Sequence, residues 1–340
     1  RRVSNLRPGQ RINDRYVLRS PLGSGGMADV WLAEHLDLGR EVAIKIIKPE
    51  VSLKPNSVRR FLSEARILAS KSHPNLVEVF DIGTLGDGRP YMVMPRLFGR
   101  TLEDLLQQVG SVPMPEVVRL LEGVADALDM LHGRGLVHRD IKPDNLFASV
   151  ADDGDERVLI IDFGLARVLQ GASYTTAGVI VGTPYYLPPE FASSKGTPAG
   201  DIYSFGVVAY ELFSGRLPFH RASLMELMRA KVHEDAPLIS TVCSERVHPI
   251  VDELFRRALS RDPEERPGSC NDFIRALATV GMTPVTGVTR PVIEDSGEVP
   301  LKREVEEGSR HDTLDDQVPL ESGTRASVLP GTTKPDSATG

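Results

Sequence analysis

Short runs of alternating apolar and polar residues, separated by glycine and polar turns, make up the first part of the chain. Such runs are typical of half-buried β-strands. Five strands are predicted, over Tyr16–Leu18, Val30–Ala33, Glu41–Ile47, Leu76–Ile82 and Tyr91–Met94. Between the third and the fourth, apolar residues recur every three or four positions from Val58 to Ser70, which predicts one helix. The pattern therefore predicts a small, mainly antiparallel five-stranded sheet around one helix.

Beyond residue 98 the apolar residues recur at helical spacing. Thr101, with Asp104 three residues later, has the pattern of a helix N-cap. Helices are predicted over Pro115–Leu131, Asp201–Ser214, Met225–Val232, Pro249–Leu259 and Cys270–Leu277, and a short buried strand over Val158–Ile161. Residues 281–340 hold proline, threonine, serine, glycine and charge without a sustained apolar period, which predicts a disordered tail.

The composition narrows the classes of function. A net charge of -7 argues against a nucleic-acid partner, which would require a clustered excess of lysine and arginine. Cys243 and Cys270 form neither a disulfide framework nor a metal motif, which predicts a cytoplasmic, reducing location. No membrane span is expected, because the longest apolar run, Phe205–Phe213, carries Glu211 and is too short. The chain begins at Arg1 without an initiator methionine, so we expect a fragment or a processed form, and a membrane anchor outside it stays an open alternative.

Chemically active side chains concentrate between His138 and Asn145. Asp140, Asp144 and Asn145 supply two carboxylates and an amide, on a segment that Pro143 prevents from being a long helix. Such a set could position a cation beside a proton acceptor. The alternative is an acidic surface turn, because aspartate, asparagine and proline are also ordinary turn residues.

Three further patterns indicate an anionic ligand. Gly23–Asp29 is a glycine-rich hairpin that would let backbone N–H groups approach phosphate oxygens, with a flexible turn as the alternative. Lys45 interrupts an apolar strand and needs an anionic partner such as Glu64, unless the lysine protects a sheet edge and the glutamate is solvated. Asp162 follows a buried strand, and across a hairpin from Asn145 it would complete a pair of oxygen ligands of the type that Mg²⁺ prefers.

Five motifs, in this order and spacing, resemble the signature set of protein kinases: Gly23-x-Gly25, Val42-Ala43-Ile44-Lys45, Glu64, His138-Arg139-Asp140 through Asn145, and Asp162-Phe163-Gly164. Leu22–Ala28 and Gly182–Tyr186 resemble the bacterial eukaryotic-like (Hanks-type) Ser/Thr protein kinases. The resemblance implies an α+β, two-lobe kinase fold. It places a lead-in at 1–13, a small antiparallel N-lobe with its hinge at 14–97, a larger helical C-lobe at 98–280, and an ATP cleft between the lobes.

The resemblance also implies a nucleotide site. Lys45 would contact the α and β phosphates of ATP, and Glu64 would hold Lys45 in place. The other implied positions are Leu22, Gly23, Ser24, Gly25 and Gly26 over the phosphates, Val30, Ala43 and Phe147 around adenine, Met94 as gatekeeper, and Pro95 and Leu97 in the hinge. Pro95 departs from the acidic hinge residue that is usual in related kinases, which removes one contact with ATP or substrate.

For the chemistry, the resemblance implies that Asp140 accepts the proton of the substrate hydroxyl and that Lys142 steadies the γ-phosphate. Asn145 and Asp162 would bind Mg²⁺, with Mn²⁺ as a substitute. Asp201 would anchor a regulatory spine in which four side chains stack: Leu68, Val79, His138 and Phe163. Charge neutralisation and positioning suffice for this transfer, so no protein nucleophile is required.

Regulation is implied by the arginine before the proton acceptor. Arg139 resembles the arginine of kinases that are switched by phosphorylation, so phosphate on Thr175 or Thr176 is expected to pair with it and order the loop. Glu190 and Arg266 match a structural ion pair.

The function that follows is Mg-ATP-dependent phosphorylation of protein Ser/Thr hydroxyls in bacterial signalling. The alternatives are a pseudokinase scaffold, which the complete catalytic set disfavours, and a small-molecule phosphotransferase, which Gly182–Glu190 disfavours because it resembles peptide-binding machinery. Thr283, Thr286 and Thr289 are candidate docking points for phosphothreonine-binding domains, although a plain linker fits their composition better. A homodimer through the small lobes, as in related bacterial kinases, is also left open.

Overall fold

In a computed structural model, the chain is described over residues 6–70, 72–150, 156–162, 184–192, 196–243 and 246–281. All of these residues belong to one compact unit, and a second unit, Thr289–Gly340, lies entirely outside them. The predictions for Phe163, Gly164, Thr175, Thr176 and the tail fall outside the described residues as well.

The first part of the chain forms an antiparallel sheet with the strand order β1-β2-β3-β4-β6-β5. Its strands are β1 Arg11–Ile12, β2 Tyr16–Ser24, β3 Ala28–His35, β4 Arg40–Ile47, β5 Asp81–Thr84 and β6 Pro90–Pro95. Two helices accompany it, α1 Pro49–Ser52 and α2 Pro55–Ser70. The predicted antiparallel sheet and the helix over Val58–Ser70 are confirmed.

Two details of this sheet differ from the expectation. The sheet has six strands rather than five, because Ile12, in the segment expected to be a lead-in, pairs with Tyr16 and is buried. The strand expected over Leu76–Ile82 begins only at Asp81. The residues before it follow another path, in which the N–H of Val77 donates to the carbonyl of Ile160 in the other lobe. Leu76, Val77 and Val79 of this stretch are buried, whereas Phe80 is exposed and donates its N–H to the carbonyl of Val93 on β6.

The alternation along β4 sorts its side chains between two apolar clusters. Val42 and Ile44 pack on one face of the sheet with Trp31. Ile47 lies on the other face, in the core that includes residues of α2. Lys45 shares the face of Ile47 by the period of two along a strand, and it is buried. The strand therefore places an ammonium group inside the molecule, as the sequence predicts.

The second part of the chain is mainly helical. Its helices are α3 Leu102–Val109, α4 Met114–His132, α5 Pro198–Ser214, α6 Leu224–His233, α7 Ile239–Val242, α8 Pro249–Ala258 and α9 Cys270–Gly281. A three-stranded sheet, β7 Gly99–Thr101, β8 Leu146–Val150 and β9 Glu156–Ile160, accompanies them. The predicted N-cap is confirmed, because Thr101 and Asp104 form a reciprocal capping box at the start of α3.

Helix α5 is the centre of this lobe. Every residue from Gly200 to Phe213 is buried, so the helix packs against neighbours around its whole circumference. A Cβ atom at Gly206 would lie 3.0 Å from the Cβ of Ala258, so glycine at this point allows α5 and α8 to approach closely. No helix in the described part of the chain has the length and apolar character needed to span a membrane.

Candidate active site

The stretch around Asp140 is held by a carboxylate at the start of α5. Asp201 is 1% exposed, and it accepts the backbone N–H groups of His138 and Arg139, each at 2.7 Å. It also bonds to Nε2 of His132 at the end of α4, at 2.8 Å. The predicted anchoring role of Asp201 agrees with this geometry, whereas the contact with His132 was missed by the sequence reasoning. Nothing in the sequence pairs that histidine with a residue so far along the chain.

Asp140, Lys142 and Asn145 converge within one turn of chain. The side-chain amide of Asn145 donates to the backbone carbonyl of Asp140 at 2.8 Å and to its carboxylate at 3.0 Å. Nζ of Lys142 lies 3.7 Å from the same carboxylate. A 3-10 turn over Pro143–Asn145 provides the bend, since proline is well suited to its first position. Asp144 is exposed, and the side-chain amide of Asn145 donates to Asp140 and not to Asp144.

A hairpin brings Asp162 to Asn145. Leu146 on β8 pairs with Ile160 on β9, and the N–H of Ile161 donates to the carbonyl of Asn145 at 3.0 Å. The two polar residues therefore flank the open end of one hairpin, as their sequence spacing predicts.

Lys45 connects both parts of the molecule. Its Nζ lies 2.9 Å from Oε1 of Glu64 on α2 and 2.8 Å from Oδ1 of Asp162. Glu64 and Lys45 are both buried, whereas the side chain of Asp162 keeps 43% of its exposure. The predicted Lys45–Glu64 partnership is present, so neither the sheet-edge alternative nor the solvated alternative describes these two residues.

The charges of this group are interdependent. Burial alone would lower the pKa of Lys45, but the neighbouring carboxylates of Asp162 and Glu64 outweigh it and raise that pKa. Burial, followed by the negative charge of Asp162, raises the pKa of Glu64. Burial opposes ionisation of Asp162 as well, yet the ammonium of Lys45 holds its pKa below the ordinary value. At neutral pH, Lys45 is therefore positively charged and Asp162 is negatively charged.

The glycine-rich hairpin joins β2 and β3. The N–H of Gly25 donates to the carbonyl of Ala28 at 2.9 Å, and Oγ of Ser24 donates to Asp29 at 2.6 Å. Among the described residues, a Cβ atom built on Gly23 would meet no atom within 4 Å, and one on Gly25 only the carbonyl of Ala28 at 3.7 Å. The packing of the chain itself therefore does not require glycine at these positions, which leaves space for a ligand beside the backbone.

Three of the expected nucleotide positions lie on the face of the sheet that carries Lys45, whereas Pro95 is paired with Val42 on β4. Val30 on β3 is paired with Lys45 on β4, and Ala43 is paired with Met94 on β6. Ala43 and Met94 are buried at 7% exposure each. The remaining positions, Val30, Pro95, Leu97 and Phe147, are partly buried.

Two further features concern the segment that follows residue 183. Arg266 forms the predicted ion pair with Glu190, through two bonds of 2.8 Å each. Lys231 on α6 donates to backbone carbonyls of the same segment and was missed by the sequence reasoning. A signal was available, because Lys231 lies four residues after Leu227 and therefore on the apolar stripe of its helix.

A protein family and several curated proteins match most of this chain. The family described as "Protein kinase domain" matches residues 16–277. Serine/threonine-protein kinase pkn2 of Myxococcus xanthus is 37% identical over 273 residues, which cover 78% of this chain and 32% of that protein. Serine/threonine-protein kinase PknA of Mycobacterium tuberculosis is 34% identical over 305 residues, which cover 86% of this chain and 69% of that protein.

A solved structure agrees with these relatives. The Mycobacterium tuberculosis PknI kinase domain has a TM-score of 0.64 and 28% sequence identity, over 82% of this chain and 100% of that chain. The chain spans only about a third of the length of the Myxococcus relative. The match over most of this chain, together with the shared fold, shows that the chain belongs to the protein kinase domain family and carries a domain of the serine/threonine-protein kinase type.

Proposed function

We propose that this domain transfers the γ-phosphoryl group of Mg-ATP to serine and threonine hydroxyls of proteins. The observation that carries the proposal is the carboxylate of Asp140, which Asn145 holds at 3.0 Å and Lys142 approaches at 3.7 Å. In this arrangement Asp140 accepts the proton of the attacking hydroxyl. Lys142 lies beside it, where its ammonium offsets the charge of the phosphoryl group during transfer.

The nucleotide would lie against the face of the sheet that carries Lys45. The hairpin Leu22–Gly26 covers the phosphates in this proposal, and Lys45, oriented by Glu64 at 2.9 Å, contacts the α and β phosphates. Adenine lies among the apolar side chains and bonds to the hinge backbone. The residues proposed for adenine are Val30, Ala43, Met94, Pro95, Leu97 and Phe147.

Asn145 and Asp162 are the residues that would hold Mg²⁺. Both side-chain N–H bonds of Asn145 described above go to Asp140, which orients its amide oxygen away from Asp140 and leaves that oxygen for a cation. Asp162 is ionised and partly exposed, so it offers a hard oxygen ligand. When bound, the metal ion supplies charge neutralisation to the phosphates. Mn²⁺ takes the same ligands and is proposed as a substitute.

The proposed location and partners rest on the cysteines and on the resemblance to protein kinases. The cytoplasmic location rests on Cys243 and Cys270, which are both free thiols and buried. The homodimer and the phosphothreonine-binding partners rest on the resemblance alone. The division into lobes at 14–97 and 98–280 is kept as part of the proposal, with β1 extending the small lobe toward its start.

The test compares two aspartates of one loop. Asp140→Asn removes the proton acceptor but keeps its size, and we expect the rate of phosphoryl transfer to a protein to fall by about 10²- to 10⁴-fold. Asp144→Asn is the matched control, because Asp144 is exposed and does not accept the hydrogen bonds of the Asn145 amide, and we expect its rate to stay within about twofold of wild type. Both are measured as initial rates of labelled phosphate transfer at saturating Mg-ATP.

Two results would contradict the proposal. Equal rates for the Asp140→Asn protein and the wild type would remove the assigned proton acceptor. Transfer to a sugar or an aminoglycoside, but to no protein, would favour the small-molecule phosphotransferase. The pseudokinase alternative has no support in the geometry, because Lys45, Glu64 and Asp162 are joined in one group.

A further inference from the structure

A buried ammonium group on α6 has no part in the site described so far. Lys231 is 1% exposed and lies with Leu227 and Ala230 on the buried stripe of its helix. Within the described ranges no carboxylate forms an ion pair with it. Its Nζ lies 5.3 Å from the ring centroid of Tyr203. Because an ammonium group is costly to bury, a set of specific partners is needed to hold it there.

Backbone carbonyl groups are those partners. Nζ of Lys231 donates to the carbonyl of Tyr185 at 2.5 Å and to that of Leu187 at 2.6 Å, and it lies 3.4 Å from that of Pro184. A protonated amine has three N–H donors and serves all three carbonyls, whereas a neutral amine keeps two donors, which suffice for the two short contacts. In either form, Lys231 ties α6 to the segment Pro184–Leu187.

The same segment is attached to α5 next to the anchor of the catalytic loop. Oγ of Ser204 donates to the carbonyl of Tyr186 at 2.8 Å. Asp201, three residues earlier on α5, holds the backbone that leads directly into Asp140. Residues three apart on a helix share a face. The segment Pro184–Leu187 and the backbone that leads into the proton acceptor are therefore attached to neighbouring points of one helix.

We propose that Lys231 is a positioning residue for the protein substrate, whose side-chain amine sets the backbone shape of Pro184–Leu187 against which the acceptor polypeptide binds. The inference rests on the proposed transfer to protein hydroxyls. Loss of Lys231 changes that shape without releasing the segment, because Ser204 and the Glu190–Arg266 pair hold it elsewhere. The nucleotide residues are on other elements, so acceptor binding should change and ATP binding should not.

The first variant is Lys231→Met, which removes the charge and the N–H donors but keeps most of the buried length. We expect the KM for a peptide acceptor with a single threonine to rise by about tenfold, the scale of a lost charge-assisted hydrogen bond. The KM for ATP and the rate of ATP hydrolysis without acceptor should stay within about twofold of wild type. Arg229→Met, at an exposed position of the same helix, is the matched control and should leave every constant unchanged.

The second variant, Lys231→Arg, keeps the charge and decides the question if the methionine variant does not fold. A planar guanidinium cannot direct its N–H groups at three carbonyls that converge on one point, so we expect the acceptor KM to rise by about threefold. A wild-type acceptor KM in a folded variant overturns the inference. A parallel loss of ATP affinity also overturns it, because the role would then be general structure. If the wild-type protein phosphorylates no peptide or protein at all, the proposed function fails instead.

Discussion

At the scale of single residues, Arg139 is held in a conformation that arginine rarely adopts. Its φ is 71°, in the left-handed region, and the bond from its N–H to Asp201 fixes it there. A Cβ atom at Gly196 would lie 2.6 Å from Nε of Arg139, so only glycine leaves room for this side chain. Nε is buried and has no hydrogen-bond partner within the described ranges. A guanidinium with an open N–H is suited to an incoming anion, which supports the proposed phosphate switch.

The switch leads to a prediction about the loop threonines. Incubation with Mg-ATP should place phosphate on Thr175 or Thr176, as read by intact mass and peptide mapping. We expect this phosphate to raise activity toward a peptide by about tenfold in the wild type and by less than about twofold in Arg139→Gln, because the guanidinium partner is lost. Arg134→Gln, at an exposed position nearby, is the control. An unmodified loop in a fully active enzyme would remove the switch.

At the scale of elements, α6 shows how one buried charge links pH to stability. Burial lowers the pKa of Lys231 from the ordinary value of 10.5 to about 7. The unfolded chain keeps the ordinary value, so between these two pKa values the unfolded state binds more protons than the folded state. The contribution of Lys231 to stability is therefore fully present above the unfolded pKa and is lost as the pH falls toward about 7.

The effect of Lys231 titration on stability can be measured separately from the effect of its hydrogen bonds. The free energy of unfolding, measured with urea at about pH 7 and about pH 9, should rise less steeply with pH in Lys231→Met than in the wild type, by up to about 1.4 kcal/mol per pH unit. The lost hydrogen bonds shift the whole curve, whereas the lost titration changes its slope. Arg229→Met should keep the wild-type slope. Identical slopes in Lys231→Met and the wild type would show that the lysine stays charged in the folded state.

At the scale of the whole molecule, one ion-pair group ties the two lobes together. Lys45 comes from the sheet and Glu64 from α2, whereas Asp162 follows β9 in the other lobe. Helix α2 contributes no other acidic residue to this group. The position of α2 therefore determines whether the ammonium group of Lys45 pairs with two carboxylates or with one.

Glu64→Gln tests this coupling. The amide keeps its size and still accepts one hydrogen bond from Lys45, so we expect a folded protein, but Asp162 is then the one carboxylate that pairs with Lys45 in this group. The KM for ATP should rise by about tenfold while the melting temperature changes little. Glu78→Gln, at an exposed position of the same lobe, is the control. A wild-type KM for ATP in Glu64→Gln would mean that Glu64 does not position Lys45 for the nucleotide.

Much of this architecture could be predicted from local pattern. The period of two along β4 sorted its apolar residues correctly between the two faces of the sheet, and the capping box at Thr101 marked the start of α3. The hairpin that joins Asn145 to Asp162 also followed from short-range spacing. These features depend on residues close in sequence, whose geometry the backbone constrains directly.

Local pattern failed where distant contacts decide the conformation. Leu76–Phe80 have the composition of a strand, but the buried residues Leu76 and Val77 pair with Ile160 of β9, and only Phe80 bonds to the sheet, at Val93. Arg11–Ile12 looked like a polar lead-in, but pairing with β2 recruits them to the sheet. In both cases the partner lies elsewhere in the fold, and a single run of residues does not contain that information.

For this protein, the sequence by itself determined the types of element, the two-lobe kinase architecture and the identities of the charged groups that would handle ATP, because these follow from periodicity and from motifs of fixed spacing. Only the tertiary structure showed the further contacts of those groups. It joined Lys45 to Asp162 as well as to Glu64 and directed the Asn145 amide at Asp140. It also revealed Lys231 beneath Pro184–Leu187. The physical reason is that burial and hydrogen bonding depend on neighbours brought together only by folding.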